Sequence, residues 1–443
     1  MTQLGELSLW IALLMAAWCA TLAAQGALLH RESLTQSGAR GLYASLVFVA
    51  LASAGLIAAF IGDDFSLLYV AVHSSANVER YYKICAFWSG GPGQLLLASL
   101  ALAAAGSAAA WRRLRHDQDR IRAAWTVATL GLILIAVLAA MAFGANPFTF
   151  VVRAPEDGRG LDPMLRHPLM ALQPPLMLLG VACAAVPLAL AASALVRRRF
   201  DGALLAEMRA TALAAWGLLS AAFLLAARWS YVSPGLRALG AGSPAVITSA
   251  LAWLVLTVWL VVVERRHAVR APLSEADRMR RQAGRLLTGG GTAICLIMFA
   301  TRPLARVYDV QINDGDVYRA KDAWGRQWTF TSQGASRMER EGDDVTAVAL
   351  MPTRDGARQP FVAAESRQYY GAGGLDIYPA QTVPGIRSTI AQDLVVVLSD
   401  AGEGRAVLRI SFKPLVEFGW TGGVLLEIGL LLLFWPPRAR YTT

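Results

Sequence analysis

Histidine is the side chain best suited to hold a haem iron or a metal ion at neutral pH, and the chain has five. His30, His116 and His267 lie among arginines, where a solvated positive face is the plainer reading. His73 and His167 are placed differently: His73 closes the run Leu67-Leu-Tyr-Val-Ala-Val, and His167 precedes Pro168 at the mouth of an apolar segment. Two neutral imidazoles on opposite faces of a porphyrin make a bis-histidine site, so His73 and His167 are the candidate haem ligands. Between them lies a glycine-rich turn, Trp88-Ser-Gly-Gly-Pro-Gly-Gln, with Gly90, Gly91 and Gly93. A phosphate cradle needs a basic residue after the glycines, and Gln94-Leu95 stands there instead, so a nucleotide loop is not expected. Glycines at a membrane surface allow a re-entrant bend or the close approach of a flat ligand, with Trp88 anchoring at headgroup level. Cys19, Cys85, Cys183 and Cys295 fall inside apolar runs and form no CxxC pair, which supports neither a zinc site nor a dithiol. Glu427 is an isolated acid in the last apolar segment, and a proton relay needs a chain of such groups.

The elements that must position these residues are membrane helices. With 443 residues, 56% hydrophobic, 16% charged and a mean hydropathy of +0.45, the chain is too apolar for a soluble protein of its size. A window of about 20 apolar residues, the length that crosses a bilayer, picks out nine spans. They lie near 6–28, 41–62, 91–111, 123–144, 168–196, 210–228, 244–263, 284–302 and 416–435. Met1 to Trp10 contains Glu6 and no Lys or Arg, so the first span is expected to be a retained helix rather than a signal peptide. One set of alternate loops carries 20 Lys and Arg and the opposite short loops carry seven, which predicts an outside N-terminus and an inside C-terminus. The net charge of +10 is therefore read as a membrane-orientation signal, not as a nucleic-acid footprint.

Residues 304–412 are the one long polar stretch, with 12 basic and 14 acidic residues. Runs such as Arg326-Gln-Trp-Thr-Phe, Val345-Thr-Ala-Val-Ala-Leu and Ala406-Val-Leu-Arg-Ile-Ser-Phe alternate β-formers, separated by Asn313-Asp-Gly, Arg354-Asp-Gly and Gly371-Ala-Gly-Gly. About seven strands are expected, in a small extracytoplasmic β-barrel or β-sandwich. The predicted organisation is an eight-helix membrane domain over 1–303, with outer loops 63–90, 145–167 and 229–243. The β domain follows over 304–412, then a final helix and tail over 413–443.

Three blocks carry a family resemblance. Asp64-Phe-Ser-Leu-Leu-Tyr-Val-Ala-Val-His-Ser with Tyr82-Lys-Ile-Cys-Ala-Phe-Trp-Ser-Gly-Gly-Pro-Gly-Gln is the first. The second is Asn146-Pro-Phe, Asp157-Gly-Arg-Gly-Leu-Asp-Pro-Met-Leu-Arg-His-Pro and Gln173-Pro-Pro-Leu-Met-Leu-Leu-Gly; the third is Phe412-Lys-Pro-Leu-Val-Glu-Phe-Gly-Trp-Thr-Gly-Gly. In this order they resemble the CcmF/NrfE-type cytochrome c biogenesis haem lyase family. The resemblance implies a polytopic protein of the bacterial inner membrane, haem as the cofactor, and apocytochrome c and other maturation subunits as partners. It marks Trp88, Gly90, Gly91, Gly93, Asp157, Gly158, Arg159, Pro174 and Pro175 as a partner-binding or structural motif.

The departures fall on the groups that hold haem in the family. The tryptophan-rich loop ending in "WWFWDPVENAS" corresponds here to Trp229-Ser-Tyr-Val-Ser-Pro-Gly-Leu, with no tryptophan cluster and no Trp-Asp pair. Gln173 stands where the family's "HPP" has histidine, and Val261 aligns with its membrane histidine. Gln is a weak neutral ligand for iron and Val has no lone pair. The resemblance therefore implies a shortened, divergent member: a scaffold or apocytochrome-binding subunit, with a second chain supplying the haem platform. The alternatives are haem handling through His73 and His167, or a paralogue recruited to assemble another membrane complex. The loop charges set the topology test: alkaline phosphatase fused after Phe412 is expected to be active and a fusion after Arg270 inactive, and the reverse pair would put the β domain in the cytoplasm.

Overall fold

The computed structural model describes residues 2–116, 119–233, 244–267, 274–340, 343–369, 380–402 and 405–436. Within hydrocarbon every backbone N–H and C=O must be paired without water, so apolar runs of this length become helices. Among the described residues nine helices are long and apolar enough to cross a membrane. The helices in chain order are α1 (Thr2–Leu28), α2 (Glu32–Ile61), the short α3 (Leu68–His73) and α4 (Arg80–Ala86), α5 (Gly91–His116) and α6 (Arg120–Gly144). Then come α7 (Gln173–Arg197), α8 (Gly202–Val232), α9 (Pro244–His267), α10 (Glu275–Thr301) and α11 (Val416–Phe434). Several begin before their apolar stretch does. α2 starts at Glu32 rather than near 41, because hydropathy marks the part of a helix that lies in lipid, not where its hydrogen bonding starts.

The chain packs as two compact units. The first contains Met1–Phe223, Gly242–Ser274 and Phe434–Thr443. Its core is the α1, α2 and α6 packing, where small residues let backbones approach closely. A Cβ on Gly41 would lie 2.9 Å from the Met15 carbonyl oxygen, and one on Gly131 would lie 2.9 Å from the Ala20 nitrogen. At the arginine-rich end, ion pairs tie helix ends together. Arg113 pairs with Glu207 at 2.5 Å, Arg122 with Asp201, and Arg197 with Asp119 at 3.7 Å. Asp119 also caps α6 through the Arg122 amide, and Asp201 accepts from the Leu204 amide at the start of α8. Asp119 and Asp201 thus each pair an arginine and satisfy a helix end.

The second unit contains Leu224–Ala241 and Glu275–Leu433. α10 and α11 pack against each other through Gly284 and Gly291 facing Gly429 and Gly422, where added Cβ atoms would meet the opposite backbone at 2.5 to 2.9 Å. Between these helices the chain forms β1 (Arg306–Asn313), β2 (Val317–Lys321), β3 (Gln327–Arg340), β4 (Asp343–Arg354) and β5 (Ala357–Arg358). β6 (Val362–Tyr369), β7 (Gln381–Val383), β8 (Gly385–Ser388), β9 (Gln392–Gly402) and β10 (Arg405–Pro414) complete it. One antiparallel sheet runs β1-β10-β9-β8 and the other β2-β3-β4-β6-β7, with β5 paired to β4. Asn313-Asp-Gly and Arg354-Asp-Gly make turns, with Gly315 at φ +79° and Asp355 and Gly356 at +50° and +82°. Gly371-Ala-Gly-Gly lies outside the described residues.

The inward residues of both sheets share one core around Trp328, Phe330 and Phe412, whose rings lie 5.5 to 6.2 Å apart. Beside it Asp322 is buried and fully used. Its Oδ2 accepts from Trp328 Nε1 at 3.0 Å and Gln392 Nε2 at 2.8 Å, and its Oδ1 from the Trp324 and Arg326 amides at 2.9 Å. Burial opposes the charge, yet these four donors outweigh it and hold the carboxyl below its ordinary value. Asp322→Ala is expected to cost about 2 to 4 kcal/mol, because it orphans the buried donors of Trp328 and Gln392. Hydrogen exchange in β3 and β9 of the full chain reads this loss. In the unsubstituted protein the same contribution is present above the unfolded carboxyl value of 3.8 and is lost as pH falls through the lower folded value. An Asp322→Ala variant as protected as the parent would remove this network from the stability of the domain.

Candidate functional site

The candidate site occupies the end of the first unit that carries residues 62–90 and 145–167, the loop face. The chain leaving α2 stays coiled on it: the Asp64 amide donates to the Ala59 carbonyl at 3.0 Å, and the Leu67 amide to the Asp64 carbonyl at 3.2 Å. It then pairs with the segment after α6, the Leu68 amide donating to Thr149 and the Val151 amide to Ser66, both at 2.9 Å. α3 follows and carries Tyr69 and His73 one turn apart.

Tyr69 is buried, and a buried phenol needs partners for its hydroxyl. It donates to the Phe87 carbonyl at 3.0 Å and accepts from the Gly90 amide at 3.0 Å, so it pins the glycine-rich turn to α3. Burial pushes its pKa up to about 12, which keeps it a neutral donor. The glycines have distinct roles. A Cβ on Gly90 would stand 2.6 Å from His73 Nε2, and one on Gly93 would overlap the Phe87 carbonyl. Gly91 faces open space. Trp88 is half-buried against the helix core, and its indole donates to the Met170 carbonyl at 2.8 Å, so it anchors the turn to the stretch before α7.

Residues 157–160 clamp the far end of α3. Asp157 Oδ1 accepts from the Ala76 and Gly158 amides at 2.8 and 2.7 Å, while the Arg159 amide donates to Ala71 and the Gly160 amide to Ser74. These bonds satisfy carbonyls that a helix end leaves open. The Arg159 side chain itself is exposed. Lys83 on α4 is buried, and its ammonium contacts both oxygens of Asp63 at 2.6 Å and the Ala76 carbonyl at 3.2 Å. Pro174 and Pro175 lie in the first turn of α7, where a missing N–H leaves no hydrogen bond unmade.

The two candidate haem ligands differ in their available lone pairs. A carbonyl can only accept, so the 2.9 Å bond between His73 Nδ1 and the Tyr69 carbonyl puts the proton on Nδ1 and the lone pair on Nε2. His167 Nδ1 accepts from the Leu169 amide at 3.2 Å, which places its proton on Nε2. Burial lowers the pKa of both, favouring neutral imidazole. In these tautomers His73 offers a ligating nitrogen and His167 does not. Gln173 is buried, with its amide 3.8 Å from the Met177 sulfur, and Val261 is half-buried on α9. His30 is exposed at a helix end, and the side chains of His116 and His267 lie outside the described residues. Of the loop read against the family's tryptophan platform, Trp229 is buried and residues 234–243 lie outside the described residues. Among the described residues no group of three or more His, Cys, Asp or Glu is arranged to hold a metal ion.

The sequence reading missed Tyr69 and the Lys83–Asp63 pair. Both had a signal, a hydroxyl inside an apolar run and a lone ammonium beside one, since each is costly to bury unpartnered.

Fold and site define a polytopic membrane protein with an antiparallel β domain between its last two spanning helices. The probable cytochrome c-type biogenesis protein NrfE of Escherichia coli is 34% identical over 220 residues, 50% of this chain and 40% of that protein. The cytochrome c-type biogenesis protein CcmF of Pseudomonas aeruginosa is 29% identical over 313 residues, 69% of this chain and 47% of that protein. The aligned part of the chain thus spans less than half the length of either relative. The solved cytochrome c haem lyase CcmF shares the fold, with a TM-score of 0.73 over 98% of both chains at 17% identity. No family model matches the chain. By these sequence relationships the chain is similar to the CcmF/NrfE-type cytochrome c biogenesis proteins.

The loop-face geometry makes a graded prediction. Tyr69→Phe strands the half-buried Gly90 amide and the Phe87 carbonyl and is expected to cost about 1 to 3 kcal/mol. Gly91→Ala, facing open space, should change stability by less than about 0.5 kcal/mol. Thermal unfolding of the detergent-purified chain checks both, and equal losses would mean that the turn is not pinned through the phenol.

Proposed function

We propose that the chain is a CcmF-like subunit of a cytochrome c maturation complex that binds partner proteins rather than holding the haem itself. The carrying observation is the ligand chemistry of the loop face. A bis-histidine haem needs two nitrogen lone pairs; His73 Nε2 supplies one, and the lone pair of His167 is engaged by the Leu169 amide. Gln173 and Val261 contribute none. The residues present do not fit a haem held by this chain alone.

What the loop face does supply is a fixed surface. Tyr69, Trp88, Asp157 and Lys83 tie α3, α4, the glycine-rich turn and the 157–160 clamp into one body. Tyr81, Ile84 and Arg159 project from it. Covalent haem attachment depends mostly on positioning the acceptor cysteines against the vinyl groups, and a rigid surface meets that need. The partners proposed are apocytochrome c, other maturation subunits and a chain supplying the haem platform. The location proposed is the bacterial inner membrane with the β domain on the periplasmic side, supported by the 20 to seven asymmetry of basic residues between alternate loops.

Purified alone from haem-replete cells, the chain is expected to hold far less than one haem per polypeptide by pyridine haemochrome assay, and to co-purify with maturation proteins under mild extraction. Stoichiometric haem with a bis-histidine spectrum, abolished by His73→Ala and by His167→Ala, would overturn this reading in favour of haem handling by the chain itself.

A further inference from the structure

Both membrane tethers of the β domain leave from one end of its strands. Arg306, at the start of β1, follows α10, and its partner Phe412 lies near the end of β10, just before α11. The same row continues through Leu394 on β9 to Arg387 on β8. Beyond that row β9 and β10 stay paired as far as Gln392 and Pro414, and the Leu415 amide then donates to the Ala391 carbonyl at 3.0 Å. The β8–β9 turn, which carries Ile390, is thereby held level with the residue that precedes α11. The turn is tightly closed: the Thr389 amide donates to the Gln392 carbonyl at 3.1 Å, and the Thr389 hydroxyl accepts from the Gln392 amide at 3.1 Å. Ile390 is nevertheless 78% exposed.

The β2–β3 turn stands beside it. Asp322 opens that turn, and the 2.8 Å bond it accepts from Gln392 Nε2 ties it to the first residue of β9. Trp324, two residues further on, is 41% exposed, and the exposed Lys321 and Arg326 flank it. The one acid of this turn is Asp322, which is buried and spent on its four donors, so the charge the turn presents is positive. The opposite end of the strands presents exposed acids, Asp314 and Asp316 between β1 and β2 and Asp400 late in β9.

α11 sets the depth of these turns. Its 19 residues span about 28 Å at about 1.5 Å per residue, against a hydrocarbon core of about 30 Å. The helix has no length to spare, so Val416 sits at the hydrocarbon edge, where Glu417 in the first turn stays within reach of headgroups and water. Leu415, and with it Ala391 and Ile390, falls in the headgroup layer, which is roughly 5 to 7 Å thick on each side.

We infer that the β8–β9 and β2–β3 turns rest in the lipid headgroup layer, with Ile390 and Trp324 in contact with phospholipid, so that the β domain is propped on the bilayer as well as tethered to it. The occupant is phospholipid for three reasons: α11 fixes the depth, an indole is favoured at that depth, and Lys321 and Arg326 match lipid phosphate.

The test uses the full chain in nanodiscs of phosphatidylethanolamine and phosphatidylglycerol, with a fluorophore on Ile390→Cys or Trp324→Cys. Asp400→Cys is the water-facing reference, and the unsubstituted protein, labelled in parallel, gives the background of the four native cysteines. Quenching by doxyl-labelled phospholipid at 390 and at 324, together with several-fold protection from aqueous iodide relative to 400, is the expected result. Iodide quenching at either position as strong as at 400 would overturn the inference by placing that turn in water. Protection from iodide without lipid quenching would overturn it too, by showing a protein surface over the turn. Neither result bears on whether the chain holds haem.

Discussion

One hydroxyl fixes the geometry of the loop face. Where a chain turns back at a membrane surface, its backbone leaves helical pairing while still partly shielded from water, so each exposed amide and carbonyl needs a partner. Tyr69 provides for two of them at once, the Phe87 carbonyl and the Gly90 amide, from a buried position on a different helix. That choice requires glycine at 90 and 93, because the phenol and the imidazole of His73 occupy the space a side chain would fill. It also fixes His73: the Tyr69 carbonyl, one turn earlier, takes the Nδ1 proton. The turn, the imidazole and the clamp at 157–160 are then consequences of where α3 is held.

The opposite end of the first unit meets the same demand with charge. Asp119 and Asp201 each satisfy the start of a helix and pair with an arginine of another segment. Half-exposed ion pairs contribute little stability singly, but a carboxylate that is also an N-cap is held in place by the helix it caps, so its partner loses less freedom in pairing. The two ends thus differ in kind. One is a charged seam between helix ends, and the other is a body held mostly by hydrogen bonds to backbone, with the Lys83–Asp63 ion pair inside it.

The spans were legible in the sequence because hydropathy integrates over some 20 residues and tolerates local exceptions. The turn at Asn313-Asp-Gly, which passes from one sheet to the other, and the β4–β5 hairpin turn at Arg354-Asp-Gly were legible for a similar reason, since a positive φ selects the residue type directly. α3, α4 and the clamp were not. Each is too short for periodicity to show, and each is held by contacts distant in sequence, such as Tyr69 to Gly90, Asp63 to Lys83 and Arg159 to Ala71. Trp88 illustrates the limit: its type and place suggested a headgroup anchor, whereas the Met170 carbonyl turns its indole toward α7. That partner lies 82 residues further along the chain, beyond the reach of local sequence patterns.

The same limit applies to His73 and His167, and it decides the chemistry. Sequence reports an imidazole, whereas ligation depends on which nitrogen carries the proton, and that is set by a backbone group two or four residues away. A short 3₁₀ turn at Pro168–Ala171 uses His167 as its cap, which binds the lone pair a metal would need. For iron to take that nitrogen, the turn would have to give up its cap just ahead of Trp88's anchor at Met170. Ligand exchange at His167 is therefore coupled to loosening the glycine-rich turn, the part of the loop face best suited to present a fixed surface. A chain that keeps this surface rigid keeps His167 Nδ1 engaged at its cap, and this coupling supports the proposal that a partner chain holds the haem.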